Sequence, residues 1–315
     1  MIADPLEQHL EHQIEAFNVM RSPLYARVVS AVLANYRARG VVYDFFTAVP
    51  TRATASTPGV RLMGALHYLA LNGEAPAMAA HLPSCGGDGY ADAVWEIAQE
   101  LIVSHEQRIG ELYAETPQTN EVLRATVLSA GLSTFARRTG LPLRLFEIGA
   151  SAGLNTRIAG EYVVAERAAC DLHPLDLENP RDCMRLLSFV WADDLERVER
   201  LRETIASARK TPLTVEQADM FEWLTQRVMP KAGFATVVMH SVVADHLTTE
   251  ERARLAAIIE RIGAAATRAS AFAWLRMEFD PPARRHATRL SMWPGGDDQL
   301  IAMSTGHGRD IEWSA

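Results

Sequence analysis

The stretch Leu143-Arg-Leu-Phe-Glu-Ile-Gly-Ala-Ser-Ala-Gly-Leu-Asn155 decides how the rest of the chain is interpreted. It begins with alternating apolar residues that end in an acid, which is typical of a β-strand, and a loop of small residues follows at once. From Leu154 to Val164 the pattern predicts a helix. Gly149 and Gly153 permit backbone conformations and close approaches that a Cβ would block. A helix start would offer free N–H groups and a positive dipole end to an anion or carboxylate. The stretch therefore predicts the cofactor loop of a nucleotide-type α/β fold.

Two other motifs overlap this loop. The dinucleotide fingerprint G-x-G-x-x-G needs a glycine where Ser151 stands, so a hydride-transferring Rossmann enzyme is disfavoured. The same five residues, Gly149-Ala-Ser-Ala-Gly153, match the G-x-S-x-G nucleophile elbow, which would make Ser151 the nucleophile of a serine hydrolase. A hydrolase elbow follows several strands, however, and nothing before Leu143 indicates a parallel sheet. The hydrolase is therefore the less favoured alternative.

Composition narrows the class of protein. The 315 residues suit one large or two moderate domains, and 48% apolar with 22% charged residues is ordinary for a soluble globular chain. A net charge of −8 argues against a broad nucleic-acid or anionic-membrane surface. Three cysteines without metal-type spacing fit free thiols in a reducing compartment. With neither a secretory signal nor a membrane-spanning run, we expect a cytoplasmic protein that acts on a small molecule.

The chain changes character near residue 117. Residues 1–116 have helical periodicity, whereas the rest alternates between strand and helix patterns. After the strand at Leu143, further strands are predicted at Arg167–Leu172, Leu213–Gln217, Phe234–Met239 and Ser270–Met277. Thr248 or Thr249 is predicted to cap the helix that runs to Ile262. Strands alternating with helices imply a parallel sheet. His286–Trp293 and Gln299–Ser304, joined by a turn, predict a hairpin.

A parallel sheet finished by an antiparallel hairpin resembles the class I S-adenosylmethionine-dependent methyltransferases. This resemblance implies an α/β, Rossmann-like domain over residues 117–315, with a seven-stranded, mostly parallel sheet and a C-terminal antiparallel hairpin. It leaves residues 1–116 as an all-helical domain that walls the substrate pocket. It also implies S-adenosylmethionine as the cofactor.

The resemblance assigns cofactor roles residue by residue. The first cofactor motif, which holds the amino-acid end of the methyl donor, corresponds to Glu147, Gly149, Ala150, Ser151, Gly153 and Asn155. Asp171 matches the acid that accepts two hydrogen bonds from the ribose hydroxyls. Asp219 and Met220 match the pair that flanks the adenine. An acid at a strand end is also a common helix cap, so this simpler interpretation stays open.

Candidate substrate-side residues follow the predicted fourth strand. The carboxyl ends of strands line the ligand crevice of open sheets, and His240 and Ser241 stand at such an end. His240 is a candidate general base, held by Ser241 or Asp245, because a neutral imidazole accepts a proton near pH 7. It is equally a candidate for a hydrogen-bonded residue that shapes the loop. No cluster has metal-ligand spacing.

A polar group precedes the first strand of the sheet. Its members Gln118, Asn120, Glu121 and Arg124 stand at the start of a predicted helix. A helix cap accounts for Asn120 and Glu121. It does not account for Gln118 or Arg124, so we also expect some of the four to face the substrate.

Several strings are similar to one uncharacterised bacterial family, the domain of unknown function number 2332. They are Leu82-Pro-Ser-Cys-Gly-Gly, Gln118-Thr-Asn-Glu-Val, the stretch Leu143–Asn155 and Val238-Met-His-Ser. The resemblance covers nearly the whole chain, and it implies a methyltransferase-like protein without an assigned substrate. The stretch before Ala169–Asp176 is shorter than in the family pattern. Asp176 is therefore an alternative to Asp171 for the ribose.

The sequence thus predicts methyl transfer from S-adenosylmethionine to a small molecule. One alternative is a non-catalytic module of the same fold that binds the donor or a nucleotide. The other is the serine hydrolase that uses Ser151. The methyl acceptor and the oligomeric state, for which a homodimer is one option, are left open.

Overall fold

Two stretches that are far apart in sequence pack together into a helical unit. The computed structural model describes residues 4–49 and 57–314. Unit 1 comprises the described parts of Met1–Thr119 together with Pro180–Glu203, and unit 2 comprises Asn120–Asn179 with the described part of Thr204–Ala315. The two-domain division predicted at residue 117 did not place Pro180–Glu203 with the N-terminal helices. This segment joins them because Trp191 is buried in their core, 5.0 Å from the ring centre of Phe17.

Unit 1 is built from helices. Within the described residues these are α1 (Pro5–Val19), α2 (Pro23–Arg37), α3 (Val41–Ala48), α4 (Pro58–Leu71), α5 (Pro76–Ala79), α6 (Ala91–Ser104), α7 (Glu106–Ala114), α9 (Pro180–Ser188) and the first part of α10 (Leu195–Ala208). Apolar residues at helical spacing form one core, which includes Leu10 and Phe17 on α1 and Val28 and Val32 on α2.

Unit 2 contains the sheet. Its described residues form β1 (Leu143–Ile148), β2 (Val164–Asp171), β3 (Val215–Gln217), β4 (Ala235–Ser241), β5 (Phe272–Asp280), β6 (Arg285–Trp293), β7 (Asp297–Ser304) and β8 (Glu312–Trp313). Its helices are α8 (Arg124–Thr139), the end of α10, α11 (Met220–Arg227) and α12 (Thr249–Ala264). The strand order is β3-β2-β1-β4-β5-β6-β7-β8. The first five strands are parallel and follow the 3-2-1-4-5 part of the doubly wound order.

The α/β class and the hairpin are confirmed, but the seven-stranded, mostly parallel sheet is wrong. The described chain forms a mixed sheet of eight strands, in which β6, β7 and β8 are antiparallel. The short β8 carried no sequence signal, since a strand of two residues shows no periodicity.

The helix predicted from Leu154 to Val164 is also wrong. A 3₁₀ turn at Asn155–Arg157 stands there, and β2 begins at Val164. The turn ends early because the hydroxyl of Thr156 donates to the buried carboxylate of Glu147, which ties this segment to β1. The loop after β1 therefore has no helix dipole behind it.

Alternating residues of the central strands build two cores, one on each face of the sheet. Leu143 and Leu145 on β1 pack with Val127 and Leu128 of α8. Phe146 on β1 packs on the opposite face with residues of α11 and α12. The apolar residues of β4 are buried, and the polar residues His240 and Ser241 stand at its carboxyl end.

The start of α12 provides a test of local stability. Glu251 N–H donates to Thr248 Oγ1 at 3.2 Å, and Thr248 N–H donates to Glu251 Oε2 at 2.8 Å, which is a capping box. We expect Thr248→Ala to lower the free energy of unfolding by about 1 kcal/mol, because a helix donor loses its acceptor. Thr249→Ala, one residue further, should cost much less. Urea unfolding of both variants measures this, and equal losses would contradict the assignment of the cap.

Candidate functional site

The strand order reverses between β1 and β4, so the carboxyl edge of the parallel strands has a topological switch point there. The chain leaves β1 towards β2 on one side, and β4 lies on the other. Crevices of open α/β sheets form at such points. Here Val243, just after β4, packs against Gly149, just after β1, because a Cβ built on Gly149 would lie 2.6 Å from Val243 Cγ2. The two loops are therefore in direct contact.

The loop after β1 holds three alternate residues in the left-handed region. Gly149, Ser151 and Gly153 have φ of +63°, +56° and +69°. Left-handed backbone is accessible to glycine and uncommon for serine. Because every second residue has a positive φ, successive N–H groups of the loop point in different directions. They donate to acceptors from separate parts of the unit.

Acceptors inside unit 2 occupy the N–H groups of this loop. Ala150 N–H donates to Cys170 O at 3.1 Å, and Ser151 N–H donates to Asp171 Oδ2 at 2.8 Å. The N–H groups of Ala152 and Leu154 both donate to Asn120 Oδ1 at 3.2 Å. Gly153 N–H bonds within the loop to Ala150 O at 2.7 Å. The loop is therefore preformed, and its donors are already in use.

Arg157 fixes the loop from its carbonyl side. Its Nη1 donates to the carbonyl oxygens of Ala152 and Gly153, each at 2.9 Å. Its Nε and Nη2 reach the carbonyl oxygens of Thr211 and Leu213, before β3. Burial lowers the pKa of this guanidinium, and Glu147 partly opposes the shift.

Two predicted cofactor acids serve the backbone in this structure. Asp171 accepts from Ser151 N–H with one oxygen and from His173 N–H at 2.8 Å with the other. Asp219 is the N-cap of α11 and accepts from the N–H groups of Phe221 and Glu222. Met220 is the first residue of that helix and packs partly into the core. The helix-cap interpretation therefore describes Asp219, whereas Asp171 binds two loop N–H groups without capping a helix.

Glu147 lies beneath the loop. It is 2% exposed, and Thr156 donates to it through its hydroxyl. Burial raises the pKa of Glu147 to about 8, although hydrogen bonds from the Thr156 side chain and backbone act in the opposite direction. Glu147 therefore fastens the turn after the loop to β1.

Asn155 is the exception to this internal pairing. The residue is 2% exposed, and within the described part of the chain its Oδ1 is buried without a hydrogen-bond partner. A buried acceptor without a donor costs about 1–3 kcal/mol. An unsatisfied amide at the end of the glycine loop is a polar group to which a ligand can donate.

A cavity of about 480 Å³ adjoins the loop within unit 2. Its lining residues come from three segments, around Ala152 and Arg157, from Pro174 to Glu178 after β2, and from Ala208 to Val215 before β3. Asp176 is among them, whereas Asp171 is not. The volume lies in the range of small-molecule sites.

His240, at the end of β4, has both ring nitrogens engaged. Nδ1 lies 2.7 Å from Glu278 Oε1, and the indole N–H of Trp274 donates to Nε2 at 3.0 Å. Because Nε2 accepts this bond, the ring proton is on Nδ1 and points at the carboxylate. A base role for His240 would need the indole to release Nε2. The arrangement itself is that of a loop-shaping residue.

Sequence reasoning missed Glu278. It lies on β5, and it also accepts from Val243 N–H at 2.9 Å and from Ala244 N–H at 3.1 Å. Burial alone would raise its pKa, but the hydrogen bonds from His240 and these two amides together hold the pKa below the ordinary value. The available signal was the alternation of Trp274, Arg276 and Glu278, which puts polar side chains on one face of a predicted strand.

The other predicted residues of this edge differ in their burial. Ser241 Oγ lies 3.4 Å from Arg124 Nη1, and Arg124 Nε donates to Gly306 O at 2.8 Å. Asp245 is exposed, in a 3₁₀ turn at Ala244–His246. Glu121 is buried and accepts from Leu123 N–H, which braces the start of α8. Gln118 belongs to unit 1, whereas the other three members of its group belong to unit 2.

A second histidine at this edge, His286 on β6, was also missed. Burial lowers its pKa, Arg124 adds to this effect, and Asp245 and Glu278 oppose it. In the described part of the chain no hydrogen bond engages its ring nitrogens, and the ring packs edge-on against Phe279. A neutral, partly exposed imidazole of this kind can accept a proton.

Unit 1 contains a buried histidine that is paired with a serine. His67 Nε2 lies 2.7 Å from Ser84 Oγ, and Nδ1 lies 3.1 Å from Ser188 O. The His67 and Ser84 side chains are buried, and burial lowers the pKa of His67 to about 4. This neutral ring joins α4 to two other segments of the unit, which is a structural role.

The family model of an uncharacterised protein conserved in bacteria, DUF2332, matches residues 7–162 and 157–313. The chain belongs to this family. The glycine loop, the strand ends and Glu278 all lie within the matched ranges. No curated protein and no solved structure matches the chain.

Residues 4–49 and 57–314 contain no helix that is both long and apolar enough to cross a membrane. The same residues contain no group of three or more His, Cys, Asp or Glu placed to hold a metal ion.

The buried acid beneath the loop predicts a pH dependence. The folded pKa of Glu147 is about 8, against 4.5 for an ordinary glutamate, so the stability it contributes is complete below 4.5 and is lost as the pH rises towards 8. We expect Glu147→Gln to gain about 3 kcal/mol relative to the native chain between pH 5 and pH 8. Urea unfolding at both pH values measures the gain. Glu161→Gln, an exposed acid nearby, is the control, and parallel pH curves for all three chains would contradict the buried neutral carboxyl.

Proposed function

We propose that unit 2 binds S-adenosylmethionine beside the glycine loop and transfers its methyl group to a small molecule. The cavity next to this loop, with Asp176 in its wall, carries the proposal. Asp176 accepts from Glu178 N–H through Oδ1 at 2.9 Å and lines the cavity, whereas Asp171 does not line it, so Asp176 is the better candidate for the ribose hydroxyls. The strand order supports the same placement, since β1 and β2 end beside the loop, as in nucleotide-binding sheets.

The residues around the loop fit the donor in a second respect. The side-chain oxygen of Asn155, Oδ1, is buried without a hydrogen-bond donor among the described residues and suits an ammonium or amine N–H of the ligand. Such a hydrogen bond would offset the cost of burying this oxygen. The loop N–H groups do not contribute, because acceptors inside the unit already hold them. Recognition would therefore depend on side chains and carbonyl groups.

The sulfonium of the bound donor supplies an activated methyl group, so alignment of the acceptor is the main task left to the chain. The cavity lies on the β2–β3 side of the loop and His286 on the β5–β6 side, which leaves the ends of β1 and β4 between them for the acceptor. His286 would take the acceptor proton where one must leave. His240, with both nitrogens engaged, would shape the loop that carries Ser241 and Asp245.

Calorimetric titration with S-adenosylmethionine and S-adenosylhomocysteine tests the donor site. We expect micromolar binding to the native chain and a loss of about ten-fold or more in Asp176→Asn, since the amide replaces one ribose acceptor with a donor. Glu178→Gln changes another carboxylate in the same wall and should bind nearly as the native chain does. Absence of binding to the native chain would overturn the proposal. Equal losses in the two variants would remove the ribose role of Asp176.

Asn155 predicts opposite effects on stability and binding. Asn155→Leu should leave the free energy of unfolding unchanged or raise it, because a buried unsatisfied oxygen is removed, yet weaken S-adenosylhomocysteine binding. Asn120→Leu is the matched control, since its oxygen accepts two loop N–H groups and its loss should cost about 2 kcal/mol or more. Thermal unfolding and calorimetry on both variants measure the two effects. A strongly destabilised Asn155→Leu would show that the amide serves the fold.

A further inference from the structure

A series of hydrogen bonds connects side chains of β5 to the loop after β4, which packs against the glycine loop. Trp274 on β5 donates to His240 on β4, and His240 Nδ1 bonds to Glu278, again on β5. Glu278 then accepts the N–H groups of Val243 and Ala244 in the loop after β4. One carboxylate therefore has three donors, all of which belong to β4 or to the loop that follows it.

The backbone between these donors is strained. Val242 has φ of +56°, and a β-branched residue in the left-handed region is a genuine outlier. Its own N–H donates to Met277 O at 2.9 Å, next to Glu278. A residue in a strained backbone conformation persists only where hydrogen bonds and packing around it hold that conformation. Here these bonds come from β5.

The strained turn brings Val243 onto Gly149. Val243 is 7% exposed, and it fills the space that a side chain at position 149 would need. Gly149 opens the loop that adjoins the cavity. The position of Val243 therefore sets one wall of the glycine loop, on the side opposite Asp171 of β2.

We propose that Glu278 is a positioning residue of the ligand site: by holding His240 and the amides of Val243 and Ala244, it fixes Val243 against Gly149 and thereby sets the affinity of the glycine loop for its ligand. The effect on ligand affinity rests on the proposed donor site, whereas the effect on the loop does not. Glu278 acts through Val243 and need not touch the ligand.

The test pairs Glu278→Gln with a control on the same face of the same strand. This variant replaces one carboxylate oxygen of Glu278 with an NH₂ group, which donates and cannot accept. At least one of the hydrogen bonds from the N–H groups of Val243 and Ala244 is therefore lost. Arg276→Gln removes a half-buried cation that contacts Trp274, Ser291 and Asp298 but none of the loop amides. The two variants separate loss of the loop contacts from general damage to β5.

Amide hydrogen exchange, resolved by residue, is measured first on the full chain. In Glu278→Gln the amides of Val243 and Ala244 should exchange about ten-fold faster or more, while amides in the middle of β4 keep their native rates. Arg276→Gln should leave both loop amides at native rates. Unchanged exchange at Val243 and Ala244 in Glu278→Gln would overturn the proposal, whether or not the chain binds S-adenosylmethionine.

Calorimetric titration with S-adenosylhomocysteine then tests the connection to the site. We expect affinity to fall about ten-fold in Glu278→Gln and to stay native in Arg276→Gln. Val243→Ala retains Glu278 and its three bonds but removes the packing on Gly149, so it should lose affinity with native exchange at Ala244. It also replaces Glu278→Gln as the test if that variant does not fold. Native affinity in Val243→Ala would overturn the connection, and absence of binding to the native chain would instead refute the donor site.

Discussion

The internal pairing of the glycine loop is the constraint on which unit 2 depends. Five successive N–H groups, from Ala150 to Leu154, donate to acceptors inside the unit. The acceptors come from different parts of the chain, namely β2, the segment before α8 and the loop itself. Buried backbone groups must find partners, and here they find them without a following helix. The loop is therefore preformed, and the ligand that we propose for it would meet side chains and carbonyl groups rather than a ring of N–H donors.

Acidic residues that the glycine-loop pattern assigns to a cofactor instead make hydrogen bonds within the protein. Asp171 and Asp219 hold backbone, and Glu147 holds Thr156. In the proposed function, the polar groups that recognise the ligand are the buried Asn155 at the end of the loop and Asp176 in the cavity wall. The acids nearest the loop instead stabilise its shape.

Local patterns in the sequence were sufficient for much of the fold. Alternation and apolar runs located the strands and the hairpin, and the cap predicted at Thr248 or Thr249 located the start of α12. The turn after Leu154 was not predictable in this way, because it ends where Thr156 meets Glu147, a contact between separate elements. Glu278 was missed for the same reason. Its partner His240 is 38 residues away, and only the pairing of β4 with β5 brings them together.

The insertion of Pro180–Glu203 into the helical core has a consequence for synthesis on the ribosome. A chain emerging from its N-terminus normally completes its first domain first. Here the first 119 residues lack Trp191 until the chain has grown past β1 and β2, and these strands in turn wait for β4. Unit 1 can therefore complete its core only after Glu203 has been added, when β1 and β2 of the unfinished unit 2 are already present. A nascent chain of intermediate length would expose both unfinished cores to chaperones and proteases.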